Sequence, residues 1–157
     1  MIGRMTLLNG FQHVAILTGD ADRLHDFYRE VFDAKVDHVK TEGPGMQLSF
    51  IDLGGGTDLN VFQFEGNTEH EKQTPMFERG RIDHLGLNAE SVGAFDEIRR
   101  RLIERGASDG FVTDFGPILS VFFRDPDGLE GEVCVANPSA QPGVYNAPGT
   151  PAAGYDR

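Results

Sequence analysis

Two histidines occupy matching places in two similar apolar segments of this chain. His13 is the third residue of FQHVAI (11–16), and His84 is the third residue of IDHLGL (82–87). Neutral imidazole nitrogens are common ligands of iron, zinc, nickel and cobalt in proteins. The pair is therefore a candidate for two ligands of one divalent metal, provided that the fold brings the two segments together.

A carboxylate completes the candidate set. Glu132 lies in an otherwise apolar segment, and the corresponding position of the first half is Asn60. An unpaired buried carboxylate is unfavourable by several kcal/mol, so Glu132 needs a partner. Two histidines and one carboxylate leave coordination positions open, as a catalytic metal site requires. Glu130 lies on the same strand face but nearer the preceding turn, and it is the weaker candidate.

The elements that must position these residues occur twice. An apolar stripe at helical spacing predicts a helix over 21–32, with Asp20 as its N-cap, and another over 92–104, with Ser91 as its N-cap. Each candidate histidine lies in a short strand before one of these helices. The other predicted strands are 34–39, 46–53 and 58–64 in the first half, and 111–114, 119–124 and 130–135 in the second. Each half therefore has the order βαβββ.

This repeat predicts an α+β fold, with two tandem βαβββ modules forming a cupped mixed β-sheet and the helices outside. We expect residues 1–137 to form a single domain, in which module one covers about 9–66, a linker 67–80 and module two about 81–137. A module of this size does not close a core alone, so the two modules should pack together. We expect the Pro/Gly-rich tail, 138–157, to be extended and either loosely ordered or draped on a neighbour.

Composition excludes several classes of function. The 157 residues include 25 acidic and 14 basic side chains, for a formal net charge of −11. Such a chain repels nucleic-acid phosphates and anionic membrane surfaces. Cys134 is the sole cysteine, which rules out intrachain disulfides. Neither a signal peptide nor a membrane span is indicated, and we expect a cytoplasmic protein.

The segments that carry the candidate residues resemble the vicinal-oxygen-chelate superfamily. The resemblance lies in the two histidine segments, the Phe27-Tyr28 pair of the first helix, and FFRDPDGLEGE (122–132), whose turn leads into the glutamate-bearing strand. It covers about residues 9–137. This superfamily includes glyoxalase I, bleomycin-resistance proteins, fosfomycin-resistance enzymes and extradiol dioxygenases. The resemblance implies a metal held at the places of His13, His84 and Glu132.

Two departures from the family pattern bear on the reaction. Asn60 stands where glyoxalase-like enzymes have a carboxylate, and an amide is no base at neutral pH. Phe122 stands where dioxygenases have a tyrosine, and 111–115 lacks the histidine expected before it. The second departure weakens a dioxygenase assignment, but the resemblance to extradiol dioxygenases and fosfomycin-resistance enzymes in the His, His, Glu ligand set is better than that to glyoxalase I. We predict a metal-dependent enzyme that chelates a small oxygenated molecule, with a slight lean to dioxygenase chemistry and Fe²⁺. Zn²⁺, Mn²⁺, Ni²⁺ and Co²⁺ stay open, as do a lyase, isomerase or thiol transferase and a non-catalytic, bleomycin-resistance-like binding protein.

The remaining predictions concern the surroundings of the metal. Asn60 is a candidate for a fourth ligand or a substrate contact, and Phe50, Phe62 and Phe122 are candidates for the cavity wall. No catalytic acid or base is identified, since His38 and His70 are expected to be solvated surface residues. A small-molecule substrate and a homodimer are expected, with the site formed either within one chain or across two.

Overall fold

The two halves of the chain fold alike. The computed structural model describes residues 10–38, 45–78, 80 and 82–155. Module one contains β1 (His13–Leu17), α1 (Ala21–Phe32), β2 (Lys35–His38), β3 (Met46–Asp52) and β4 (Asp58–Phe64). Module two contains β5 (Leu85–Asn88), α2 (Val92–Glu104), β6 (Val112–Asp114), β7 (Ile118–Arg124) and β8 (Glu130–Ala136). The predicted order βαβββ is present in both.

The helices begin where the N-cap residues predict. The Asp20 carboxylate accepts the backbone N–H of Arg23 at 3.0 Å, and the Ser91 hydroxyl accepts that of Ala94 at 3.1 Å. These bonds satisfy N–H groups that the first helical turn leaves without partners. After α2, Gly106 takes the left-handed conformation (φ 66°) that ends many helices.

The two sheets have the same topology. Their strand orders are β1-β4-β3-β2 and β5-β8-β7-β6. In each, the first strand runs parallel to the last and the other neighbours are antiparallel. The α+β class and the tandem modules are confirmed. The sheets are not closed into one, because no strand pairing joins them within the described ranges.

One hydrophobic core serves both modules. The ring of Phe123 in β7 lies 6.2 Å from that of Phe27 and 5.4 Å from that of Phe32, both on α1. Gly131 in β8 makes room for this ring, because a Cβ at that position would overlap it. Packing of α1 against β7 joins the two halves, as expected for modules too small to fold alone.

The turn before β8 also holds the modules together. The Asp127 carboxylate accepts hydrogen bonds from the Thr18 hydroxyl at 2.6 Å, the Gly19 N–H at 3.5 Å and the Arg23 guanidinium at 2.8 Å. Its side chain is 5% exposed. Because Thr18 and Gly19 connect β1 to α1, this contact fixes the end of β1 against the entry to β8.

The C-terminal tail packs on its own module two. Thr113 of β6 forms an antiparallel bridge with Pro151, and the backbone N–H of Asp114 donates to the Thr150 carbonyl at 2.8 Å. Ala152 is buried in the core. Tyr155 lies edge-on to Phe95 of α2. The described part of the tail is thus a docked extension of module two, rather than the loosely ordered or neighbour-bound segment expected.

Some predicted features lie outside the described residues. These are Val39 at the end of a predicted strand and the last two residues of the tail. Within the described ranges, no helix is long and apolar enough to cross a membrane.

Replacing Asp127 by Ala should weaken the junction between the modules. The variant leaves the buried Thr18 hydroxyl without its acceptor, so we expect the free energy of unfolding to fall by about 2–4 kcal/mol. Urea denaturation measures this change. Asp26→Ala is the control, since it breaks only an exposed ion pair with Arg29 and should change stability by less than about 0.5 kcal/mol. Equal losses in the two variants would contradict the assignment.

Because of Asp125, the free energy of unfolding should fall as pH rises from about 4 to 6. Burial raises the pKa of this carboxyl from 3.8 to about 6, against the opposing effect of backbone hydrogen bonds from Leu129 and Asp127. The folded protein therefore binds the proton more tightly than the unfolded chain, and losing it is unfavourable by about 3 kcal/mol at neutral pH. The loss of stability is complete above the pKa of Asp125 in the folded protein.

Asp125→Asn tests this dependence. Its amide oxygen can still accept the N–H groups of Asp127 and Leu129, which both bond to Oδ1. The stability of the variant relative to wild type should increase between about pH 4 and 6 and then level off. Denaturation curves at several pH values measure the difference, and a difference independent of pH would refute the prediction.

Candidate functional site

The face of module one that is turned away from α1 carries His13 and Asn60. Exposure alternates along β1, with His13, Ala15 and Leu17 exposed and the residues between them partly buried. Ala15 pairs in register with Asn60 of β4. His13 and Asn60 therefore share one face, two positions apart along adjacent strands.

Module two repeats this arrangement with a carboxylate in place of the amide. Gly86 pairs in register with Glu132, and His84 lies two residues before Gly86. His84 and Glu132 thus correspond to His13 and Asn60. The Nε2 atom of His84 is 3.8 Å from Oε1 of Glu132, and their side chains are 26% and 16% exposed. Two metal-ligating groups face each other.

Both groups are held by neighbouring side chains. The Asp83 carboxylate lies 2.6 Å from Nδ1 of His84. The Ser120 hydroxyl, which is fully buried, donates to Oε2 of Glu132 at 2.8 Å. These contacts leave Nε2 of His84 and Oε1 of Glu132 facing each other. The two atoms could serve as two ligands of a divalent metal. The donor types suit such an ion.

His13 is not brought to this pair. Its side chain is exposed, and its Nδ1 atom contacts the Oε1 atom of Gln12. Across residues 10–38, 45–78, 80 and 82–155, no three metal-ligating side chains converge. One chain therefore presents a pair of candidate ligands on module two and a separate histidine on module one.

The predicted wall residues lie on the same two sheet faces. Phe122 pairs in register with Glu132, and its ring is edge-on to His84 at 5.8 Å. Phe50 pairs in register with Asn60. Phe62 stacks on Phe64 with ring centroids 6.0 Å apart. Aromatic surface thus borders His84 in module two and the strands around Asn60 in module one.

Other titratable residues have different surroundings. Glu130 forms an ion pair with Arg124 at 2.7 Å. Burial and the nearby Glu132 carboxylate raise the pKa of the Cys134 thiol to about 12, so the thiol stays protonated at neutral pH. His70 is not a solvated surface residue, because its side chain is 15% exposed and its ring packs on Gly19. The side chain of His38 lies outside the described residues.

A cavity of about 700 Å³ lies between the modules, and its lining includes Gly86 and Val133, next to Glu132. Its walls come from the β3–β4 turn, the end of α1, β5 and the first half of α2. His13, His84 and Glu132 are not part of its lining. The candidate chemistry therefore lies on the open sheet faces and not in this cavity.

Asp83 and Ser120 contact the candidate ligands but were not singled out from the sequence. Ser120 carried a usable signal, because the corresponding residue of the first repeat is the apolar Leu48. Asp83 directly precedes His84, but adjacency alone does not reveal a side-chain contact.

Comparison with known proteins gives consistent results. Lactoylglutathione lyase of Arabidopsis thaliana is 28% identical over 133 residues, which cover 84% of this chain and 46% of that protein. The chain thus spans about half the length of the curated relatives it matches. A glyoxylase/bleomycin resistance protein/dioxygenase domain from Frankia sp. EAN1pec has a TM-score of 0.66 and 26% identity, over 84% of this chain and 95% of that one.

A lactoylglutathione lyase from Agrobacterium tumefaciens shares the fold, with a TM-score of 0.54 and 21% identity over 83% of this chain and 96% of that one. Residues 10–133 match the family model described as Glyoxalase/Bleomycin resistance protein/Dioxygenase superfamily. That match covers most of both modules, including His13, Asn60, His84 and Glu132. The chain therefore belongs to the Glyoxalase/Bleomycin resistance protein/Dioxygenase superfamily.

Proposed function

We propose that this protein is a metal-dependent enzyme that binds a small substrate through two neighbouring oxygen atoms. The observation that carries the proposal is the approach of His84 Nε2 to Glu132 Oε1, at 3.8 Å, on an open sheet face. His84, Glu132 and His13 would hold the ion. Fe²⁺ is the preferred metal, and Zn²⁺, Mn²⁺, Ni²⁺ and Co²⁺ suit the same donors.

When bound, such an ion stabilises negative charge that develops on substrate oxygens. The protein supplies the surroundings. The hydroxyl of Ser120 orients the Glu132 carboxylate, and the ring of Phe122 provides apolar surface beside His84. The Asn60 amide can donate a hydrogen bond to a substrate oxygen, but it cannot remove a proton at neutral pH.

We further propose that a second copy of the chain completes the site. The sheet face that carries His13 is apolar and partly open, since Leu17 is 37% and Phe64 38% exposed. In a symmetric dimer, this face of one copy would cover the His84–Glu132 pair of the other, and the converse contact would form a second site. Such an arrangement supplies the third ligand that one chain does not bring to the pair.

Which reaction the metal supports is a separate part of the proposal. The ring of Phe122 beside His84, and Phe50 beside Asn60, suit an aromatic substrate and favour the dioxygenase branch. The similarity to lactoylglutathione lyase supports a lyase or isomerase branch instead, although Asn60 lacks the basicity of a carboxylate. A thiol transferase is the third branch. A non-catalytic ligand-binding protein is favoured by one observation, the lack of three converging ligands in the described part of one chain.

Metal content tests the enzyme proposal. Protein purified without chelator, after supply with iron, zinc, manganese, nickel and cobalt, should carry about one metal ion per chain. His84→Ala should lower metal affinity at least tenfold, because it removes a direct ligand. His70→Gln, away from the candidate pair, is the matched control and should retain the metal. Wild-type protein without stoichiometric metal would instead support the non-catalytic binding protein.

Activity assays of the metal-loaded protein then distinguish the three reaction classes. Oxygen consumption with a panel of catechols would support the dioxygenase branch. Conversion of hemithioacetals without oxygen consumption would support the lyase or isomerase branch, and consumption of a thiol with an epoxide would support the transferase branch.

Mixing two inactive variants tests the shared site. His13→Ala and His84→Ala should each be inactive alone. If copies share sites, a mixed dimer has one site in which both histidines are intact, and an equal mixture should recover about a quarter of wild-type activity. Recovery requires subunit exchange, which mild denaturation and refolding of the mixture provides. No recovery in a mixture shown by mass spectrometry to contain mixed dimers would place the site within one chain.

A further inference from the structure

We propose that Asp83 is a positioning residue that fixes the tautomer of His84, so that Nε2 keeps the lone pair needed to bind a metal. The inference rests on the proposed function for the identity of the ligand. It concerns residues of the described chain alone and can be tested on the metal-free protein.

Both oxygens of Asp83 have partners. Oδ2 lies 2.6 Å from Nδ1 of His84, and Oδ1 accepts the backbone N–H of Phe77. An ionised carboxylate only accepts hydrogen bonds, so Nδ1 of His84 must carry the proton in this contact. In the neutral ring, Nε2 is then unprotonated, and it is the atom that lies 3.8 Å from Glu132.

The backbone at Phe77 supports this role for Asp83. Phe77 has a φ of 67°, in the left-handed region that residues with a side chain seldom adopt. Its ring is 82% exposed, so burial of the side chain does not account for the conformation. The N–H of Phe77 is instead directed at Asp83. Phe77 of the linker thus contacts the Asp83 oxygen that does not contact His84.

The first repeat has a neutral counterpart. The residue before His13 is Gln12, and its Oε1 atom contacts Nδ1 of His13. Both repeats therefore place an acceptor directly before the histidine. In module two the acceptor is a charged carboxylate, and the Nε2 atom of the same histidine lies 3.8 Å from Glu132. A hydrogen bond to a charged group is about twice as strong as one between neutral groups, so we expect the firmer tautomer control at His84.

Two substitutions distinguish positioning from a merely structural role. Asp83→Asn keeps an oxygen for the N–H of Phe77 but turns an NH₂ group toward Nδ1 of His84. This favours the tautomer protonated on Nε2, which has no lone pair for a metal. Asp83→Ala leaves both tautomers accessible. Positioning therefore predicts that Asn is more harmful to metal binding than Ala, whereas a structural role predicts the reverse.

Long-range ¹H–¹⁵N NMR spectra of the metal-free full chain report the tautomer directly. The His84 signals are assigned with His84→Gln, and spectra are recorded at a pH where the ring is neutral. Wild type should carry the proton on Nδ1, and Asp83→Asn on Nε2. Asp109→Asn is the matched control, since Asp109 also accepts a backbone N–H, from Phe111 at 2.9 Å, but lies outside the site.

Zn²⁺ affinity, measured by competition with a chromophoric chelator, is the second readout. Asp83→Asn should weaken binding about 10–100-fold, Asp83→Ala less, and Asp109→Asn not at all. The inference is overturned if Asp83→Asn leaves the proton on Nδ1, or if Asp83→Ala weakens binding more than Asp83→Asn does. Wild type that binds no Zn²⁺ while the tautomers follow the expected pattern would overturn the proposed function and uphold the tautomer control.

Discussion

Each sheet of this protein gives one face to a helix, and this constraint decides where chemistry can occur. Side chains alternate between the two faces of a strand, so the residues between the buried ones must lie on the face away from the helix. His13 and Asn60 lie on that face in module one, and Glu132 does so in module two. The polar residues that interrupt these otherwise apolar strands therefore lie on the open faces of the sheets.

Local sequence signals predicted much of this architecture. Asp20 and Ser91 mark the helix starts because their side chains satisfy the first free N–H groups, a short-range effect. The repeat identified Glu132 as the counterpart of Asn60, and the strand registers agree with that alignment. Strand assignments succeeded because alternation and turn residues are also local.

Contacts between distant parts of the chain were not predictable in this way. Asp127 bonds to Thr18, 109 residues earlier, and Phe123 packs on Phe27 across the module boundary. These contacts set how the two sheets lie relative to each other, because no strand pairing joins the sheets within the described ranges. The separation of His13 from the His84–Glu132 pair follows from this long-range packing, which no local pattern records.

The docked tail has a consequence for how copies of this protein can associate. An edge strand with free N–H and C=O groups is a template for strand addition and aggregation. Residues 150–152 occupy part of that edge at β6, through backbone bonds of Asp114 and Ala152. The tail thus occupies backbone groups of β6 that would otherwise be open to pairing with a strand of another molecule.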